Sequence, residues 1–428
     1  MASVGSRAMS SSVDQSATPT MSFGEVIRDR LVRTLLAAEF AISAGVMLQA
    51  AALGKQVFDI TGRELDLGLL GLAEFLPSAL LVLVTGSVID RFNRKKVALI
   101  FLVLELACSL GLLFYARTLP TRTWPMFAIA VTFGVARSFI SPATRVMPPM
   151  VAPEGGFNRV IALNSAMWTS AVIVGPAASG FLYNVAPWVA YAVAAGLIAL
   201  GAIGIALLKF RRSPARPDPS DRPSLHKAME GLRFIRRTPL LLAAISLDLF
   251  AVLFGGAVAL LPAIAEKRLH VGNVAYGWLR AAGGIGAATM AVSLSIRPFN
   301  RRVGRTLLTV VGIFGAGTIA LGSTHVYAVA FVAMMVLSAA DMVSVYIRST
   351  LVPLATPPDK QGRVTAVENV FIGASNELGA FESGVAAALI GTAAAVVLGG
   401  VATLAVVAVF SVAFPALRNV DQFPEQAR

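Results

Sequence analysis

The sequence predicts an all-α integral membrane fold with twelve transmembrane helices in two pseudo-symmetric six-helix bundles. Three observations predict it. Composition is the first: 56% of the 428 residues are hydrophobic and only 14% are charged, where a soluble domain carries about 25% charged residues. Length is the second: apolar windows of about 20 residues recur along the chain, enough to cross about 30 Å of hydrocarbon. The third is the placement of positive charge, which collects in every second connection between apolar windows, as the positive-inside rule requires. The apolar runs are continuous rather than alternating, which favours helices over barrel strands.

Taken in order, residues 1–22 are Ser-rich and contain no apolar core of the kind a signal peptide needs. With the residues up to 30 they are expected to form a disordered cytoplasmic tail. Arg28, Arg30 and Arg33 then lead into the first span. Spans are expected over 34–54, 67–89, 97–116, 125–144, 160–182, 187–208, 240–264, 274–296, 306–323, 326–346, 366–390 and 392–414. Gly391 is nearly the only punctuation between the last two. Residues 209–238 carry Pro214, Pro217, Pro219 and Pro223 among many basic residues, followed by an amphipathic piece near 225–235. They are expected to be a cytoplasmic linker with a surface helix. It joins an N-terminal six-helix bundle over 31–208 to a C-terminal one over 239–417, and a short tail follows over 418–428.

Counting Lys and Arg fixes the expected orientation. The N-terminal side of span 1 and every second connection after it hold 28 of the 36, and the opposite connections hold 6, namely Lys55, Arg63, Arg117, Arg122, Lys267 and Arg268. Both termini are therefore expected in the cytoplasm, and an odd number of spans would scramble the alternation. The same placement explains the net charge of +13 without nucleic acid. One cysteine, Cys108, excludes a disulfide framework. His226, His270 and His325 are far apart and form no metal-ligand spacing. No GxxxxGK[ST] loop is present, which argues against ATP as the energy source. No nucleophile–base constellation points to an enzyme, and no cofactor is expected.

The two halves resemble each other. A shift of 204 residues aligns Arg159 with Arg363, Ala162 with Ala366, Gly175 with Gly379 and Gly180 with Gly384. A shift of 207 aligns Phe92, Asn93, Arg94 and Lys95 with Phe299, Asn300, Arg301 and Arg302. Parallel six-span repeats place a cavity between the halves near the membrane midplane, and rocking of one half against the other gives alternating access.

Between spans 2 and 3 stand Gly86, Asp90, Arg91, Arg94 and Lys95. This stretch resembles the GxxxDRxxRR motif of the major facilitator superfamily, as does the whole layout of twelve spans with a long central connection. The second copy, after span 8, has Arg297 where the carboxylate would fall. A finer resemblance, to the enterobactin-exporter type and related bacterial efflux permeases, is carried by three segments: Leu70 to Pro77 with Glu74, Arg159 to Gly180, and Gly362 to Gly379. Gly175, Pro176 and Gly180 look like a shortened form of the span-5 antiporter motif. The resemblance implies a monomer in the plasma (inner) membrane that moves a small-molecule substrate across the lipid bilayer, driven by the proton gradient. It implies that Asp90 docks at the start of span 11 in the outward-facing state, with Gly86 allowing close approach. Orientation alone also accounts for Arg94, Lys95 and Lys96.

Ionisable residues at membrane depth usually face a cavity or a partner. Glu39, Glu105, Arg137, Asp248, Arg280, Asp341, Glu368, Glu377 and Glu382 qualify. Asp341 and Arg348 lie two turns apart on one face and are expected to pair near the cytoplasmic end. Positive-inside placement is expected to explain Arg145 and Arg348, at equivalent places after spans 4 and 10, and Glu368 is taken as interfacial. Glu39, Arg137, Asp248 and Glu377 are the expected transport path. The first three sit on spans 1, 4 and 7, which with span 10 line the cavity in the resembled superfamily. Glu39 or Asp248 is expected to couple proton movement, the alternative being a purely structural hydrogen bond across helices. Gly175 and Pro176 are expected to kink span 5, either to flex during rocking or to fix the bundle shape. The function this implies is proton-coupled export of a small amphipathic molecule, siderophore or drug-like. The alternatives are an importer or facilitator on the same fold, or a membrane sensor or scaffold that does not transport.

Overall fold

The structure, a computed structural model, describes residues 21–211 and 225–424; the side chains of 82, 83, 86, 87, 90 and 225–228 lie outside that description. The described residues are helical and include no strand. A short α1 (Phe23–Arg28) precedes α2 (Arg30–Thr61), α3 (Glu64–Arg91), α4 (Arg94–Arg117) and α5 (Trp124–Arg145). The short α6 (Met147–Val151) leads to α7 (Phe157–Val185) and α8 (Pro187–Leu207). Next come α9 (Leu225–Arg237) and α10 (Pro239–Phe254). The latter continues through a 3-10 turn at Ala257–Leu260, α11 (Leu261–Ala263) and a π turn at Ile264–Arg268. The chain ends with α12 (Asn273–Ile296), α13 (Val303–Ser323), α14 (Tyr327–Leu354), α15 (Gln361–Ile390), α16 (Thr392–Ala413) and α17 (Pro415–Arg418).

Among the described residues ten helices are long and apolar enough to cross a membrane, counting α10 through to Arg268. With α3 and α15, 28 and 30 residues long, a helix stands at the place of each of the twelve expected spans. Local chemistry sets many ends. Asp29 caps α2 by accepting from the amides of Leu31 and Val32, and Asn93 caps α4 by accepting from those of Lys95 and Lys96. Pro187 and Pro239 open α8 and α10, where a missing N–H is harmless. Gly391, at φ +85°, breaks α15 from α16, a conformation that glycine adopts without penalty.

Two expectations need correction. Residues 22–28 are ordered rather than part of a tail: Ser22 and Glu25 form a capping box, and Val26 is fully buried. The first span is also longer than hydropathy suggested. It runs to Thr61, so Lys55 is a buried residue of α2 rather than a loop charge.

Packing repeats from one half to the next. In the first half α2 packs on α7 and α8, α4 on α8 and α5, and α3 on α5. After α9 the equivalent pairs recur: α10 on α15 and α16, α13 on α16 and α14, and α12 on α14. Two further pairs, α3 with α15 and α7 with α12, join the halves. Each pairs the second long helix of one half with the fifth of the other, so a pseudo-two-fold relates them. The glycines shared by the sequence repeat sit at these contacts. A Cβ on Gly180 would lie 2.8 Å from Gly277 Cα, and one on Gly384 would lie 2.8 Å from Gly68 Cα. Gly175 and Gly379 bring α7 and α15 onto α2 and α10, where a Cβ would come within 2.7 Å of Met47 Cβ and 2.8 Å of the Leu253 carbonyl. Small residues at such crossings let helix backbones approach closely.

Candidate transport pathway

The end of the molecule opposite the start of α2 and the end of α16 is closed by polar contacts between the halves. The π turn at Ile264–Arg268 presents two consecutive charged residues, Glu266 and Lys267, towards the first half. Lys55 Nζ lies 2.8 Å from Glu266 and also bonds Asp59. Lys267 Nζ lies 2.7 Å from Glu64, and the same carboxylate accepts from Thr392 Oγ1 at 2.9 Å. Each half thus gives one lysine to an acid of the other. Tyr276 adds a bond from its hydroxyl to the Ala51 carbonyl at 3.1 Å. Every ion pair between the halves among the described residues lies at this end.

A second group of charges stands at mid-depth. Gly134 brings α5 against α3 so closely that a Cβ there would lie 2.1 Å from the Glu74 carbonyl oxygen. One turn on, Arg137 reaches to 3.8 Å from Glu74, with 40% of its side chain exposed. Glu377 enters from α15, with a carboxylate oxygen 3.3 Å from where a Cβ on Gly71 would stand, and both Glu74 and Arg137 are its electrostatic neighbours. Arg280 of α12 donates to the Tyr276 hydroxyl at 3.2 Å and also acts electrostatically on Glu74. The structure therefore brings Arg137 and Glu377 together, and adds Glu74. Sequence reasoning passed over Glu74 as a charge, although it is the one acid in the apolar run 67–89. Glu39 is not joined to this group by any described contact; its Oε1 is buried and has no hydrogen-bond partner.

Asp248 belongs elsewhere. It is buried inside the second half, where Arg348 Nη2 lies 2.8 Å away and the Ser344 hydroxyl 3.5 Å away. Arg348 Nη1 also stands 3.7 Å from Glu368. The expected Asp341–Arg348 pair is replaced by these two contacts, which tie α10, α14 and α15 together. Arg348 is accordingly a buried residue of α14, 4% exposed, and not a charge placed only by orientation. Its partner Glu368 has a side chain 12% exposed, which corrects the interfacial expectation. Asp341 instead lines a small cavity with Asp248, Ser344, Val252, Val311 and Phe314.

Of the Gly86–Lys95 stretch, Gly86 and Asp90 are described by their backbone alone, which belongs to α3. Arg91 is the exposed last residue of α3, and Arg94 the first of α4. Lys95 Nζ donates to the carbonyls of Ala206 and Leu208, each at 2.7 Å. It thereby caps the C-terminal end of α8, where a cation is favoured. In α7 the helix continues through Gly175 and Pro176 from Phe157 to Val185. No group of three or more His, Cys, Asp or Glu among the described residues is placed to hold a metal ion.

Two six-helix halves that meet through small residues, with opposed charges held at mid-depth, make a carrier architecture. The chain belongs to the Major Facilitator Superfamily: residues 35–380 match that family. Over 300 residues it is 29% identical to the uncharacterized MFS-type transporter YfiS of Bacillus subtilis (strain 168), covering 68% of this chain and 67% of that one. Macrolide efflux protein A of Streptococcus pyogenes is 24% identical over 181 residues, covering 41% of this chain and 44% of the relative. That match spans less than half of the efflux protein. Among solved structures, a D-xylose-proton symporter superposes with a TM-score of 0.66 at 14% identity, over 92% of this chain and 99% of that one.

Proposed function

We propose that the protein exports a small amphipathic molecule by proton-coupled rocking of its two halves. The observation that carries this reading is the mixed-charge group of Arg137, Glu74 and Glu377 at mid-depth, set beneath an opposite end that Lys55–Glu266 and Lys267–Glu64 hold shut. Acids at mid-depth suit a cationic amphiphile, and they exchange protons as the site opens to one side or the other. The macrolide efflux relatives support the outward direction and make a macrolide the first cargo to test. Siderophore-like molecules are the second class.

In this proposal the chain is a monomer in the plasma membrane with both termini cytoplasmic. Residues 31–208 and 239–417 are the moving bodies, and 209–238 is their linker. Arg137 and Glu377 line the path, and Glu39, buried apart from them, stays a candidate for proton movement, while Asp248 holds the second half together from within. Gly86, Asp90, Arg91, Arg94 and Lys95 form the cytoplasmic gate, and Gly175 with Pro176 shapes α7.

Reconstitution in liposomes with an imposed pH gradient tests the proposal. Addition of a cationic macrolide is expected to produce drug-dependent proton flux, with drug moving against the proton. Drug movement that ignores the pH gradient would leave a facilitator, and the absence of both fluxes would refute macrolide export.

A further inference from the structure

Glu105 sits in the middle of α4 and is completely buried. Neither of its carboxyl oxygens has a hydrogen-bond partner. On α2, the Gln49 Nε2 amide is buried and equally without a partner, while Gln49 Oε1 accepts the hydroxyl of Ser109, one turn along α4 from Glu105. Few charged or titratable groups surround it. Cys108 is its neighbour on α4, and Arg137 of α5 acts on it electrostatically. From α8 the one titratable side chain is Tyr191, which donates to Gln56 Oε1 at 2.7 Å. An ionised carboxylate without a donor is strongly unfavourable in such a place, whereas a neutral acid is tolerated.

We propose that Glu105 holds a proton in this conformation and releases it when Arg137 turns from Glu74 to Glu105. Arg137 is free to make that exchange: its contact with Glu74 is a long 3.8 Å, and 40% of its side chain is exposed. In the step, the O–H bond of Glu105 breaks, the electron pair stays on the carboxylate, and the proton passes to solvent water admitted as Arg137 moves. The guanidinium supplies the compensating charge. A cationic substrate that takes over Glu74 would set Arg137 loose, so substrate binding and proton release become linked. By thermodynamic reciprocity, protonation of Glu105 would then weaken substrate binding by the same factor. This use of the site rests on the proposed export; the protonation of Glu105 does not.

Infrared spectroscopy of the reconstituted, substrate-free protein in H2O and D2O tests the inference. At neutral pH the wild-type spectrum is expected to contain a protonated-carboxyl component that is absent from Glu105→Gln and retained in Glu382→Gln. Glu74→Gln removes the acid that Arg137 contacts in this conformation, mimicking substrate capture, and is expected to diminish the same component. A spectrum of Glu105→Gln identical to wild type would overturn the proposal. An undiminished component in Glu74→Gln would overturn the exchange of Arg137. Should Glu105→Gln elute as aggregate, Glu105→Met is the second uncharged variant for the same measurement. Failure of macrolide-driven proton flux in wild-type liposomes would count against the export reading and leave the infrared result standing.

Discussion

Arg348 has Asp248 at 2.8 Å and Glu368 at 3.7 Å, and the arginine and Asp248 side chains are 5% and 7% exposed. Removing one partner of a buried ion pair leaves an uncompensated charge and costs about 3–5 kcal/mol. Arg348→Gln is therefore expected to lower the thermal unfolding temperature in detergent substantially, and Asp248→Asn added to it to recover part of the loss. Equal unfolding temperatures for wild type and Arg348→Gln would show that the pair does not hold α10, α14 and α15 together. Gly134 makes a steric demand instead of an electrostatic one. A Cβ there meets backbone at 2.1 Å, whereas one on Gly196 meets nothing within 4 Å. Overpacking a close-packed contact typically costs about 1–3 kcal/mol. Gly134→Ala should thus reduce stability and disturb the Glu74–Arg137 contact, while Gly196→Ala should be neutral or mildly stabilising, both read from thermal unfolding curves.

At the scale of elements, the reciprocal lysines show what a single π turn contributes. An ordinary α turn spaces consecutive side chains about 100° apart around the helix, from 3.6 residues per turn. The wider turn at Ile264–Arg268 sends Glu266 to Lys55 and Lys267 to Glu64. Lys267→Glu should place two acids together and open this end, raising the labelling rate of an engineered cysteine at Thr392 by a membrane-impermeant thiol reagent. Combining Lys267→Glu with Glu64→Lys should bring the rate back towards the wild-type value. Labelling unaffected by the single charge reversal would mean that the latch does not set the conformation. α15 carries the opposite burden. Glu368, Glu377 and Glu382 make it poorly suited to lipid, and its neighbours α3 and α10 give its face protein to pack against, with Glu377 at Gly71 and Glu368 at Arg348.

For the whole molecule, the ion pairs between the halves collect at one end, and the stretch that contains Asp90 lies at the other. If Asp90 docks on the N-terminus of α15 in the alternate state, the helix end would favour its charge by about 0.3–1 kcal/mol. Asp90→Asn should then fold normally, lose most transport in liposomes and shift the population towards the conformation described here, as read by cross-linking of cysteine pairs at each end. Undiminished transport by Asp90→Asn would remove the gate from the proposal.

The twelve spans, their alternating charge and the parallel repeat were legible in the sequence, because apolar length and charge placement are local properties of the chain. Gly180 and Gly384 were visible as a repeated pair, but their partners, Gly277 and Gly68, were not. Arg137 and Glu377 could be singled out because a charge at membrane depth is conspicuous wherever it falls. Which acid meets which arginine was decided only by tertiary structure. Asp341 is seven residues from Arg348 on the same helix, yet the partner is Asp248. A side chain's neighbours across a helix bundle depend on crossing geometry, set by glycines and small residues on other helices, and helical phase does not report it when most faces are apolar. By itself the sequence determined a twelve-helix membrane carrier with two related halves; the tertiary structure decided where its charges are neutralised, because desolvation makes every buried charge seek a partner from whichever helix lies within reach.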